Sequence, residues 1–90
     1  MTFVDFCLAV RQYGMMTGGS TTSWGRTTKR NQAVGGVPYS AHRFWLAVDL
    51  VYDEPVMPKN ERIVIASRLG LKVIAEGSHD HCQPETWAPG

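Results

Sequence analysis

The side chains best suited to chemistry in this chain are its three histidines, His42, His79 and His81, together with the carboxylates Asp49 and Glu76. His79 and His81 are two residues apart, so on a strand both imidazoles lie on one face. Asp49 sits inside residues 43–51, a run that is otherwise mostly apolar and β-prone. A carboxylate in such a run must be hydrogen-bonded, paired or metal-bound, because burying it alone is costly. His42 and Asp49 are seven apart, which puts them on opposite faces of a flat strand. They can share a site only if His42 precedes the strand or the chain bulges between them. Ser40, at the end of the preceding loop, allows the first option.

Two imidazoles and a carboxylate suit zinc, and three protein ligands leave a fourth position for water, the mark of a catalytic rather than a structural zinc site. Zinc brings the pKa of bound water down to about 7 and polarises a carbonyl. A neighbouring acid or imidazole then takes the water's proton and passes it to the leaving amine. Glu76, in the turn before His79, is the first candidate for that work, and His79 is the second. The plainer reading of any one of these histidines is a surface or core residue, so the weight lies in the combination.

The elements that must position these groups are legible from periodicity and punctuation. Residues 2–13 read as a helix capped by Thr2, with Asp5 three positions on as a capping box and Gly14 as the stop. Its apolar face is Phe3, Phe6, Cys7 and Val10. Residues 15–40 are rich in Gly, Ser and Thr and read as a short strand near Thr21–Trp24 followed by a long loop, a length that is often functional. The Gly35-Gly36 pair marks a turn in it. Residues 43–51 form a buried strand, followed by a loop holding Pro55 and Pro58. Residues 60–69 form a second helix, with Asn60 as cap, Glu61 in its first turn and Gly70 at its end. Leu71–Ala75 is a strand, Glu76–Ser78 a turn, His79–Gln83 a last strand, and 84–90 an irregular tail. The fold class expected is α+β: a small antiparallel sheet carrying the site, with two helices packed to one side.

Ninety residues make one domain, spanning 1–90, and a core this small benefits from a staple such as a metal. The net charge of +1 and the lack of a basic stripe argue against nucleic acid as a partner. No run is long and apolar enough for a membrane helix, so no membrane insertion is expected. The N-terminus lacks a basic segment followed by an apolar one, so synthesis in the cytoplasm without a signal peptide is expected. Cys7 and Cys82 do not make a disulfide framework, and both are expected to be reduced.

Residues 40–49, Ser-Ala-His-Arg-Phe-Trp-Leu-Ala-Val-Asp, resemble the Ser-x-His-x-x-Gly-x-Ala-x-Asp signature of the M15 family of D-alanyl-D-alanine-type zinc peptidases and phage endolysins. Residues 76–82, Glu-Gly-Ser-His-Asp-His-Cys, resemble the downstream Glu and His-x-His element, which the zinc site of the hedgehog signalling domain shares. Upstream, residues 22–26 are similar to the family's strand-and-Arg element, and Asn31 with Gly35-Gly36 to its Asn-then-Gly-Gly loop. The matches fall in the family's order across about two-thirds of the chain.

The resemblance implies that His42, Asp49 and His81 are zinc ligands and that Glu76 is the catalytic acid/base. His79 would flank the metal and assist, Arg26 would bind substrate or steady negative charge, and Ser40 would be the signature's hydrogen-bonding serine. Two departures stand out. Trp45 replaces the signature glycine. The Glu76–His81 spacing also leaves Glu76-x-x-His79 as an alternative pair with His79 as the ligand, although the His-x-His-Cys match favours His81. The function implied is a zinc peptidase, acting as a monomer on the stem peptides of peptidoglycan and reaching the cell wall after release, as a phage lysin does. It would be an endopeptidase or a D,D-carboxypeptidase. The alternative is a non-catalytic, zinc-stabilised binding or structural module with a hedgehog-like site.

Overall fold

Thr2 and Asp5 start the first helix by satisfying each other's backbone. The Asp5 N–H donates to Thr2 Oγ1 at 3.1 Å and the Thr2 N–H donates to Asp5 Oδ2 at 3.3 Å. The computed structural model describes residues 1–25, 29, 33, 35 and 45–86. Within it the order is helix α1 (Phe3–Thr17), strand β1 (Gly19–Ser23), strand β2 (Val48–Tyr52), helix α2 (Lys59–Arg68), strand β3 (Leu71–Ala75) and strand β4 (Asp80–Pro84).

Helix α1 passes Gly14, the expected stop, and ends one turn later at Gly18. That residue takes φ 74° and donates its N–H to Gly14 O at 2.9 Å. Gly14 has another use, because a Cβ there would stand 2.9 Å from the carbonyl oxygen of Gly19, where β1 passes the helix. The buried face is Phe6, Val10, Tyr13 and Thr17. Phe3, expected on that face, is exposed, and Cys7 is only half-buried. Helix α2 begins after Pro58, which makes no side-chain cap, so Asn60 is inside the helix and does not cap it. Glu61 in its first turn and Arg68 in its last suit the helix dipole.

The four strands form one antiparallel sheet in the order β1-β2-β4-β3. Helix α1 lies against β1, α2 lies against β3, and the helices touch each other. This is the expected α+β architecture of a small antiparallel sheet with two helices. Strand boundaries differ from those expected. The strand expected over 43–51 is Val48–Tyr52, with Trp45 in a turn, and residues 43 and 44 lie outside the described residues. The first strand runs Gly19–Ser23 rather than Thr21–Trp24, and the last starts at Asp80 rather than His79.

Alternation divides the sheet into two faces. Val48, Leu50, Leu71 and Cys82 join Phe6, Val10, Tyr13 and Ala66 in one buried cluster under the helices. Trp24 closes its edge, its ring meeting Phe6 edge-on at 5.8 Å. Asp49 and His81, out of phase with those residues, project from the opposite face.

Candidate functional site

Antiparallel register makes the site. Asp49 on β2 is the cross-strand partner of His81 on β4, so the two side chains leave the sheet side by side. His81 Nδ1 stands 3.7 Å from Asp49 Oδ1. The other ring nitrogen, Nε2, is 2.7 Å from Gln83 Oε1, two residues along the same face. Because an amide oxygen only accepts, Nε2 is the donor in this pairing, and Nδ1 is the ring nitrogen turned toward the carboxylate.

His79 reaches the same point from the turn before β4. The turn is closed by the Glu76 N–H donating to His79 O at 2.9 Å. His79 Nε2 stands between two carboxylates, 3.4 Å from Glu76 Oε2 and 3.9 Å from Asp49 Oδ2, while Nδ1 is 3.2 Å from Ser78 Oγ. Asp49 and His81 are largely buried, His79 is half-buried and Glu76 is the most exposed of the four. The cluster therefore grades from an enclosed Asp–His pair to an exposed carboxylate.

The structure thus brings together Asp49, Glu76, His79 and His81, residues spread over more than thirty positions of the chain. His42, Arg26 and Ser40 lie outside the described residues. Among the described residues, no three His, Cys, Asp or Glu side chains stand together so as to hold a metal by themselves. The chemistry of the donor set nevertheless fits zinc. An imidazole nitrogen and a carboxylate oxygen face one another across neighbouring strands, with a further imidazole and carboxylate beside them. Gln83, which orients the His81 ring as outer partners of ligating histidines do, escaped the sequence reading. Its place two residues beyond His81 on the same face is the signal that could have found it.

Trp45, at the position of the signature glycine, takes φ 61°, in the left-handed region that favours glycine. Its backbone carbonyl accepts from Trp24 Nε1 at 3.2 Å. Its ring lies over Gly25, where a Cβ would come within 1.9 Å of it. A bulky residue thus holds a backbone conformation that glycine adopts without strain.

Behind the cluster is a buried polar network. Asp80, between the two histidines, points to the core face and is 5% exposed. Its Oδ2 accepts from Tyr52 OH at 2.7 Å and from Arg62 Nε at 3.2 Å. Since Tyr52 donates to Asp80, Tyr13 OH donates to Tyr52 OH, at 2.7 Å. Arg62 also donates to the Met57 carbonyl, and its guanidinium lies 4.6 Å from the centre of the Tyr52 ring. Burial, reinforced by the bonds to Tyr13 and Asp80, pushes the Tyr52 phenol far up, and burial raises Tyr13 as well. The Cys82 thiol is pushed up to about 12, first by burial and then by the charge of Asp80. Both cysteines are free thiols. The network ties α1, β2 and α2 to β4 and so holds the strand from which His81 projects.

Compared with known proteins, the chain matches no family model, no curated protein and no solved structure.

Proposed function

We propose that this chain is a zinc-dependent peptidase acting on the stem peptides of bacterial peptidoglycan. The observation that carries the reading is the cross-strand Asp49–His81 pair, with Glu76 and His79 alongside. The left-handed backbone at Trp45 accompanies it, a conformation that favours glycine, the residue type of the signature at that position. The choice of peptidoglycan rests on the resemblance of residues 40–49 and 76–82.

Asp49 and His81, with His42 from the segment before β2, are the residues that would hold the metal. When bound, zinc supplies a water acidic enough to be deprotonated near neutral pH and an electrophile for the scissile carbonyl. The remaining work belongs to the chain. Glu76, the exposed carboxylate, takes the proton of the attacking water at its carboxylate oxygens and returns it to the departing amine. His79 Nε2, within 3.4 Å of Glu76, orients that carboxylate and offers positive charge beside it when protonated. Gln83 holds the proton of His81 on Nε2 and so keeps Nδ1 available as a donor atom. Arg26 and Ser40 are assigned to the substrate by the resemblance.

The test is a mass-spectrometric digest of purified peptidoglycan by the zinc-loaded protein, repeated after chelation and again after zinc is restored. New peptide fragments that vanish on chelation and return with zinc are expected, and their masses identify the bond. Stoichiometric zinc with no fragment from several wall chemotypes would overturn the reading. It would favour the second one, a zinc-stabilised binding module, for which the half-exposed Trp45 ring is the specific observation.

A further inference from the structure

The turn that carries His79 has a second side. Between it and the segment that follows β2 lies a cleft of about 290 Å³, lined by Tyr52, Glu54, Arg62, Ser78, His79 and Asp80 among others. Its volume is at the lower end of ligand cavities, which start near about 300 Å³, so it suits one side chain rather than a whole ligand. His79 is the wall shared with the catalytic cluster. Its Nε2 faces Asp49 and Glu76, and its ring borders the cleft. A residue seated in the cleft therefore lies next to the bond on which the cluster would act.

The charges of the lining decide what that residue is. Arg62 and Asp80 answer each other at 3.2 Å, and Arg62 is further committed to the Met57 carbonyl and the Tyr52 ring, so this pair contributes little net charge. Glu54 is exposed and forms no ion pair with any described residue. It leaves the lining with one carboxylate that the described residues do not compensate. The Ser78 hydroxyl, paired with His79 Nδ1 at 3.2 Å, keeps a lone pair to offer a donor. An ammonium group satisfies both, whereas a carboxylate meets Glu54 and finds Arg62 already engaged.

We propose that this cleft is a specificity subsite for a substrate side chain bearing a primary amine, with Glu54 as its counter-charge. The ligand's being a peptide rests on the peptidase reading; the cleft's preference for an amine rests on the lining alone.

The test is a binding titration followed by backbone amide NMR. Two capped tripeptides are compared, one with a central lysine and the other with that lysine acetylated. The lysine peptide is expected to shift the amides of Val56, Gly77 and Ser78 and to bind about fivefold more tightly than its acetylated partner, the scale of one partly screened ion pair. Glu54→Gln, at an exposed position, is expected to keep the native spectrum and abolish the difference. Equal binding of the two peptides, a preference that survives Glu54→Gln, shifts confined to other amides, or no binding of either peptide would each overturn the proposal. Peptidoglycan digestion is read separately, so an absent activity counts against the peptidase reading while the amine preference stands or falls on the titration.

Discussion

Asp49 and Asp80 occupy adjacent rungs of one ladder, Asp49 opposite His81 and Asp80 opposite Leu50, yet they face opposite ways. Asp80 points under the helices and accepts hydrogen bonds from Tyr52 and Arg62 at 2.7 and 3.2 Å. Asp49 points away from the helices and meets two imidazoles at 3.7 and 3.9 Å, beyond hydrogen-bonding distance. A buried carboxylate tied to a phenol and a guanidinium is a structural anchor. One that faces two imidazole nitrogens on the other side of the sheet is placed instead within the candidate site. The same residue type, one strand rung apart, thus serves the fold on one face and the candidate site on the other.

The comparison can be broken by substitution. Asp80→Ala leaves Arg62 and Tyr52 without their shared acceptor and is expected to lower stability by about 3–5 kcal/mol, as removal of one partner of a buried ion pair does. Asp49→Ala, measured by urea denaturation in the presence of chelator, is expected to cost less stability than Asp80→Ala while abolishing zinc binding. Equal losses from the two substitutions would erase the distinction between the faces.

Glu76→Ala sharpens the contrast on the open face. It is expected to lower turnover about 10²–10⁴-fold, the range of general acid–base catalysis, with zinc content and melting temperature held. Undiminished turnover would remove Glu76 from the mechanism.

Alkaline pH probes the helix-covered face. The Cys82 thiol is raised from its ordinary 9.0 to about 12, so between these values the unfolded chain has lost a proton that the folded chain retains. Stability is therefore expected to fall as pH rises through that window, by about 1.4 kcal/mol per pH unit for the thiol. The raised phenols of Tyr13 and Tyr52 add losses of the same sign above their ordinary 10.0. Denaturant melts of Cys82→Ala should show a shallower alkaline slope than the parent, whatever the absolute stability; an unchanged slope would mean the thiol ionises normally in the folded chain.

The smallest effect is in the turn before β2, at Trp45. Trp45→Gly and Trp45→Ala both remove the ring, but only glycine relieves the left-handed backbone. The glycine variant is expected to be more stable than the alanine variant by about 1 kcal/mol. Equal melting temperatures would show that φ 61° costs the chain nothing.

Much of this contrast was legible before any coordinate. The two-residue spacing of His79 and His81 implied a shared side, and the cluster places both rings against Asp49. The same alternation assigns Asp80 to the opposite face, although its partners could not be read. Tyr13, Tyr52 and Arg62 lie 18 or more positions from it and are joined to it by packing alone. The capping box of Thr2 and Asp5 was legible because both partners lie within one turn. Gly14 misled because a glycine near a helix end resembles a stop, whereas here it admits the carbonyl of Gly19. Phe3 fitted the helical period, but where the period meets the core depends on how α1 lies across β1.

The sequence by itself determined the element types, the alternation that separates the core-facing side chains of the sheet from Asp49 and His81, and the residue types available for metal and proton chemistry. These are local properties, set by backbone periodicity, capping and side-chain functional groups. The tertiary structure alone decided that β4 enters between β2 and β3, and with that insertion that His81 stands opposite Asp49 and Asp80 comes within reach of Arg62. Strand order and register are long-range choices. They are made by burying Val48, Leu50, Leu71 and Cys82 under the two helices together, and no spacing within the chain encodes which strands will be neighbours.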